Sequence, residues 1–176
     1  MSIMHKEMFG INETLAKEIL EVALSTGGDF AEVYMEKTTN EVLSLHSGKL
    51  STANVSKVKG AAIRIIKGEL EVNSSITDCT YENLLKAAKT LAGSFNDKKH
   101  VEVQPFVEKK VELVVNPKNV RGNDISREVN LLKTASDTIY AYSKEIVQVI
   151  CNLTKTEKRI FVFASDSTWQ TDYRCN

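Results

Sequence analysis

Residues 30–76, FAEVYMEKTTNEVLSLHSGKLSTANVSKVKGAAIRIIKGELEVNSSI, decide the fold. In FAEVYMEK, Ala31, Val33 and Met35 alternate with Glu32, Tyr34 and Glu36, the period of two that puts apolar side chains on one face of a strand. Thr38-Thr39-Asn40 reads as a turn into EVLSLHS, and Ser47-Gly48-Lys49 as a second turn. LSTANVSKV (50–58) reads as a third, more polar strand, and GAAIRIIKG (60–68) as a strongly apolar fourth. Lys67-Gly68 makes a tight hairpin turn into ELEVNSSI, because glycine takes the positive φ that such a turn needs. Strands joined by connections this short pair antiparallel, so the stretch is expected to form a meander of about five strands.

A helix is expected on either side. Asn12 is placed to cap one that carries Leu15, Ile19, Val22 and Ala23 on a single face and ends at Thr26-Gly27-Gly28-Asp29. A second opens between Thr77 and Thr80, with Asp78 or Thr80 as cap and Glu82 in its first turn. Leu84, Leu85, Ala88, Leu91 and Ala92 form its apolar face, and Gly93 stops it. Helix, antiparallel meander and helix together make one layered unit over residues 1–95.

GSFNDKKHVEVQPF breaks the pattern, and residues 96–107 read as a linker. KKVELVV (109–115) reads as a strand closed by Asn116-Pro117. Asp124 or Ser126 caps a third helix with Ile125, Val129, Leu132, Ser136 and Ile139 near helical spacing. EIVQVICNLT and RIFVFAS then read as two strands joined by Lys155 to Lys158. The fold class is α+β: the meander with its two packed helices, then a smaller strand–helix–hairpin unit over 108–176. Thr171 to Asn176 begins one more strand, expected to be poorly ordered or to borrow an edge from another chain.

Lysine plus arginine (23) balances aspartate plus glutamate (23), which removes the bulk positive field that gathers nucleic acid. The three cysteines, Cys79, Cys151 and Cys175, are too scattered for a disulfide framework and suit a reducing cytosol. No apolar run is long enough to span a bilayer, and the first residues lack the apolar core of a secretion signal. A cytoplasmic protein with neither nucleic acid nor membrane as partner is expected.

Catalytic chemistry is hard to find. His5, His46 and His100 lack a second ligand at metal-site spacing, and no CxxC, G-x-S-x-G or phosphate-binding glycine loop is present. Cys151 lies inside an expected strand, where a structural thiol is the ordinary outcome, because a reactive thiolate needs an electropositive, partly exposed setting. The densest polar cluster is SDSTWQTDYR around Trp169. A turn wrapping a strand end uses such residues to satisfy backbone groups. The alternative is that Asp166, Asp172 and Arg174 face a partner subunit or an extended peptide.

In order along the chain, GGDFAEVYMEKTTNEVLSLHSGKL, GAAIRIIKG and TYENLLKAAKTLA resemble the opening region of the TldD/PmbA family of bacterial and archaeal peptidase-like proteins. The shared features are an acidic strand after Gly-Gly-Asp, a Gly60-x-x-x-Arg64-x-Ile66-x-Gly68 strand with its turn, and an alanine-rich helix. VFASDSTWQTDYR resembles the family's second N-terminal unit at a segment that usually ends DGT…(A/E)D-x-R. Asp172-x-Arg174 is more similar to the TldD side than to the PmbA (TldE) side, although Ser167 stands at the usual turn glycine and Cys175 where a proline often follows.

The resemblance implies zinc-dependent cleavage of unfolded peptides by a TldD–TldE heterodimer, associated with maturation of modified peptide antibiotics and turnover of a small antitoxin. The family's His-Glu-x-x-x-His motif belongs to a later C-terminal domain and does not occur in this sequence. No catalytic or metal-binding residue and no cofactor is therefore carried onto this chain, and zinc is expected in that other domain. The implied role is the N-terminal region of a TldD-like metallopeptidase subunit, catalytically silent alone, shaping the chamber and the contact with a TldE/PmbA-like or identical subunit. The polar strand 50–58 is a natural edge for an extended peptide. Two other readings are a stand-alone adaptor or assembly module of the same fold, and a small enzyme built around Cys151 or the Asp166 cluster.

Overall fold

The strand alternation runs further than the turn-like residues suggest. In the computed structural model, which describes residues 9–108 and 124–176, β1 is a single strand, Phe30–His46. Its buried positions, 31, 33, 35, 39, 43 and 45, keep one phase throughout. Thr38-Thr39-Asn40 is therefore not a turn: buried Thr39 continues the inward row, and β-branched threonine suits a pleated backbone. The real turn is Ser47-Gly48, where φ values of 49° and 75° give the left-handed pair of a type I′ hairpin. β2, Lys49–Lys67, likewise runs through Gly60 without a break, and Gly68 (φ 57°) turns it into β3, Leu70–Ile76. The meander has three long strands in place of the five expected.

The C-terminal strands merge in the same way. β5 is Ile150–Ala164, with Lys155 to Lys158 inside it. It lies beside β1 and runs antiparallel to it: Asn40 bonds Thr156 (2.9 Å) and Ser44 bonds Asn152 (2.7 Å). These cross-strand pairs satisfy the polar run that reads as a turn. β6, Thr168–Cys175, follows, and the two-residue β4, Val107–Glu108, pairs with it in parallel. The sheet order is β3-β2-β1-β5-β6-β4. Thr156 and Asn176 exchange both backbone hydrogen bonds at 3.0 Å, so the final residues are paired within the chain and not left without an edge. The strand expected at KKVELVV lies outside the described residues.

Two compact units emerge, and neither is contiguous. The first takes the described residues up to Lys37, those from Lys59 to Glu108, and Arg159–Asp172. It holds α1 (Glu13–Ala23), capped by Asn12, whose side chain accepts from the Leu15 amide at 2.9 Å, and α2 (Tyr81–Ala92), capped by Thr80. Ala16, Ile19, Leu20 and Ala23 of α1 and Leu84, Ala88 and Leu91 of α2 pack into one core with Val33, Met35, Ile63 and Ile65. Trp169 meets Phe161 edge-on (4.7 Å between centroids) and Phe106 at 4.8 Å, contacts of about 1 kcal/mol each beyond their burial. Residues 96–107 belong to this unit and do not act as a linker, because Val103 is buried and Val101 and Phe106 pack against the core.

The second unit takes Thr38–Val58, 124–158 and Tyr173–Asn176. α3, Ile125–Tyr142, starts at Asp124, whose carboxylate accepts from the Ser126 amide at 2.9 Å. Its buried residues are Glu128, Leu132 and Ser136, while Ile125 and Ile139, expected on the packed face, are exposed. Leu132 joins Leu43 and Leu45 in a small core flanked by Val129, Cys151 and Leu153.

Candidate functional site

The most distinctive surface is the outer half of β2. Its inner half, Ala61 to Lys67, is paired with β3, and that pairing stops at Ala61↔Ile76. From Lys49 to Val58 the strand has β1 on one side, marked by Ser51 Oγ donating to the Ser44 carbonyl (3.0 Å), and no strand among the described residues on the other. Every residue of this stretch is exposed, including Leu50, Val55 and Val58. Among the described residues no strand takes up the main-chain donors and acceptors of that side, the arrangement on which an added strand pairs. Lys49 and Lys57 set positive charge along it.

The three residues singled out around Trp169 do not converge on one place. Asp166 is a turn-former: Oδ1 accepts from the Thr168 amide (3.1 Å) and hydroxyl (2.7 Å). Asp172, half-buried, closes the first unit's share of β6, and Arg174, exposed, belongs to the second. Both already engage neighbours in the chain.

No group of three or more histidine, cysteine or acidic side chains among the described residues is arranged to hold a metal ion. Cys79 is buried, where desolvation raises its thiol pKa, and Cys151 packs beside the second unit's leucines. His46 contacts Gln148, an exposed polar pair. His100 pins a loop: Nε2 lies 2.7 Å from Asp29 Oδ1 and Nδ1 3.3 Å from the Lys98 carbonyl. The hydrogen bond to Asp29 foremost, then the Lys98 carbonyl, raises the imidazole pKa. The Gly68 amide (2.6 Å), then His100, lowers that of Asp29.

Two polar arrangements escape a linear reading. Lys155, nearly enclosed, binds Glu41 (2.7 Å) and Glu128 (2.8 Å), residues remote from it in the chain, and the second oxygen of buried Glu128 has no hydrogen-bond partner. A surface groove of about 630 Å³ runs between Glu13, Lys17, Glu18 and Glu21 of α1 and Gln104-Pro105-Phe106. Its acids are largely committed to packing: Glu18 accepts from Tyr81 (2.7 Å), and Glu21 from Lys99.

Residues 31–94 match a family model described as PmbA/TldA metallopeptidase domain 1. That match supports the TldD/PmbA family. Solved structures share the fold. A proposed modulator of DNA gyrase from Bacteroides thetaiotaomicron aligns with a TM-score of 0.72 at 13% identity, over 93% of this chain and 39% of that one. A second such protein, from Thermotoga maritima, gives 0.66 at 15%, over 93% and 37%. TldE from Thermococcus kodakarensis gives 0.60 at 14%, over 92% and 37%. At these identities the likeness is one of fold, and the TldD/PmbA-like chain spans under two-fifths of the length of these structures. No curated protein matches it. No helix among the described residues is long and apolar enough to cross a membrane.

Proposed function

We propose that the chain is the N-terminal, non-catalytic part of a cytoplasmic TldD/PmbA-type metallopeptidase subunit, and that β2 between Lys49 and Val58 receives extended peptide by strand addition. The open edge is the observation that carries this reading, since a peptide held by its main chain is recognised for being unfolded and not for its sequence. Lys49 and Lys57 favour neutral or acidic peptides and oppose the pairing of two like edges. Zinc and the hydrolytic step belong to a C-terminal domain of the kind the family carries. The Asp172-x-Arg174 sequence favours the TldD side, with a TldE/PmbA-like or identical subunit as partner and Asp172 and Arg174 near that contact. Asp166 serves its turn instead, given its two bonds to Thr168.

The test is a backbone amide shift map of the isotopically labelled chain titrated with an unstructured acidic peptide. Changes along residues 49–58 are expected, and a map without them overturns the peptide-binding role. The purified chain with added zinc should cleave the same peptide no faster than background; sustained cleavage contradicts the non-catalytic assignment.

A further inference from the structure

Of the eighteen residues of α3, three are buried: Glu128, Leu132 and Ser136. Leu132, with half-buried Val129 beside it, is its apolar hold on the second unit's core. α1, at eleven residues, buries Ala16, Ile19, Leu20 and Ala23, and α2, at twelve, buries Leu84, Ala88, Leu91 and Ala92. Helices in proteins owe most of their stability to such a packed face, so α3 is the weakly held one. Its inward polar groups loosen it further. Glu128 Oε2 and Ser136 Oγ are buried with no hydrogen-bond partner among the described residues, a desolvation that contact with water relieves. What draws Glu128 in is Lys155 of β5, 2.8 Å from its other oxygen. The connection from α3 to β5 is largely exposed. It leaves the helix at Ser143 in an extended conformation, passes Val147 at 89% exposure, and is anchored where the Ser47 amide donates to the Val149 carbonyl at 2.8 Å.

We propose that α3 is a releasable cover of the second unit, opening as one piece while the sheet beneath it stays folded, with the Glu128–Lys155 contact as the latch that sets how often. Residues 143–148 are the hinge and Val149 the fixed point beyond it. Opening bares Leu43, Leu45 and Leu153 and the thiol of Cys151, which packs against the same small core. It hydrates Glu128 and Ser136. Lys155 keeps a counter-charge, because Glu41 of the neighbouring strand β1 remains 2.7 Å away, and this lowers the cost of release. Elements with few buried apolar contacts are those that open below the global unfolding free energy. The inference does not depend on peptide binding at β2.

Hydrogen–deuterium exchange and maleimide labelling of the native chain, both read by mass spectrometry, test the proposal. Amides of residues 129–142 should exchange together, about tenfold or more faster than those inside α1 and α2. Cys79, 4% exposed in the core of the first unit, reports the opening of that unit and serves as the internal reference. Lys155→Met should speed both α3 exchange and Cys151 labelling by about 100-fold and leave Cys79 labelling unchanged. Ser136→Ala removes the unpartnered hydroxyl and should slow both by about fivefold or more, beyond the roughly twofold that the helix propensity of alanine supplies. Should Lys155→Met fail to fold, Ser136→Ala and the native exchange pattern decide alone. Amides of α3 protected as strongly as those of α2 overturn the proposal. So does Cys151 labelling that rises and falls with that of Cys79, or that neither variant moves.

Discussion

Ser167 sits at φ 82°, in the region that side chains other than glycine enter only at a cost. It stands where the resembled motif carries glycine, so that departure leaves a physical trace: the turn keeps its shape and the serine is strained into it. Ser167→Gly should raise stability by about 0.5–1 kcal/mol in urea unfolding; a loss would mean that the serine makes a compensating contact. His100 yields a second expectation. Its raised pKa means that its contribution is fully present at low pH and is lost as pH rises through the folded value. Asp29, shifted down, contributes above the ordinary carboxylate range and loses that contribution as pH falls through its own folded value. The pin therefore holds between the two. The ring should titrate above the ordinary 6.5 in the folded chain and fall back in Asp29→Asn; a native midpoint at or below 6.5 rules the pin out. The cap Asn12 was legible, and Thr80 and Asp124 were each legible as one of two candidates, because capping is decided within three residues. The His100–Asp29 pair was not, because its members lie 71 residues apart.

At the scale of elements, strands were easier to recognise than their ends. Thr38-Thr39-Asn40 and Lys155 to Lys158 have the composition of turns, yet Val33, Met35, Thr39, Leu43 and Leu45 never change phase. Unbroken phase was the stronger signal, since a turn shifts the register of the residues beyond it. The packed face of α3 was read through Val129, Leu132 and Ser136, but Ile125 and Ile139 at its ends are exposed and Glu128 is buried on it. Glu128 is drawn in by Lys155, which it shares with Glu41, and no local pattern marks that glutamate as buried. Burial pulls the Lys155 pKa down, but its bonds to Glu128 and Glu41 outweigh this and raise it, so the ammonium stays charged between two carboxylates. Lys155→Met should cost about 3 kcal/mol in urea unfolding, because it leaves Glu128 buried without its counter-charge. A cost below about 1 kcal/mol would assign the triad to the weak class of surface ion pairs.

For the whole molecule, the order of elements and the family resemblance could be read from the sequence, whereas the sheet that unites them could not. β5 inserts beside β1, and β1, β2, β5 and β6 each contribute to both compact units, so the contiguous division near residue 100 does not describe how the chain packs. This long-strand construction also produces the candidate site. β2 continues past the end of β3 and leaves Lys49 to Val58, among the described residues, paired on one side only. Hydrogen–deuterium exchange over these residues, with and without saturating unstructured acidic peptide, tests that assignment most directly. The account predicts slowed exchange at alternate amides of residues 49–58, since every second N–H of a strand points outward and an added strand takes up those groups. Unchanged exchange there, or protection confined to another segment, would contradict it.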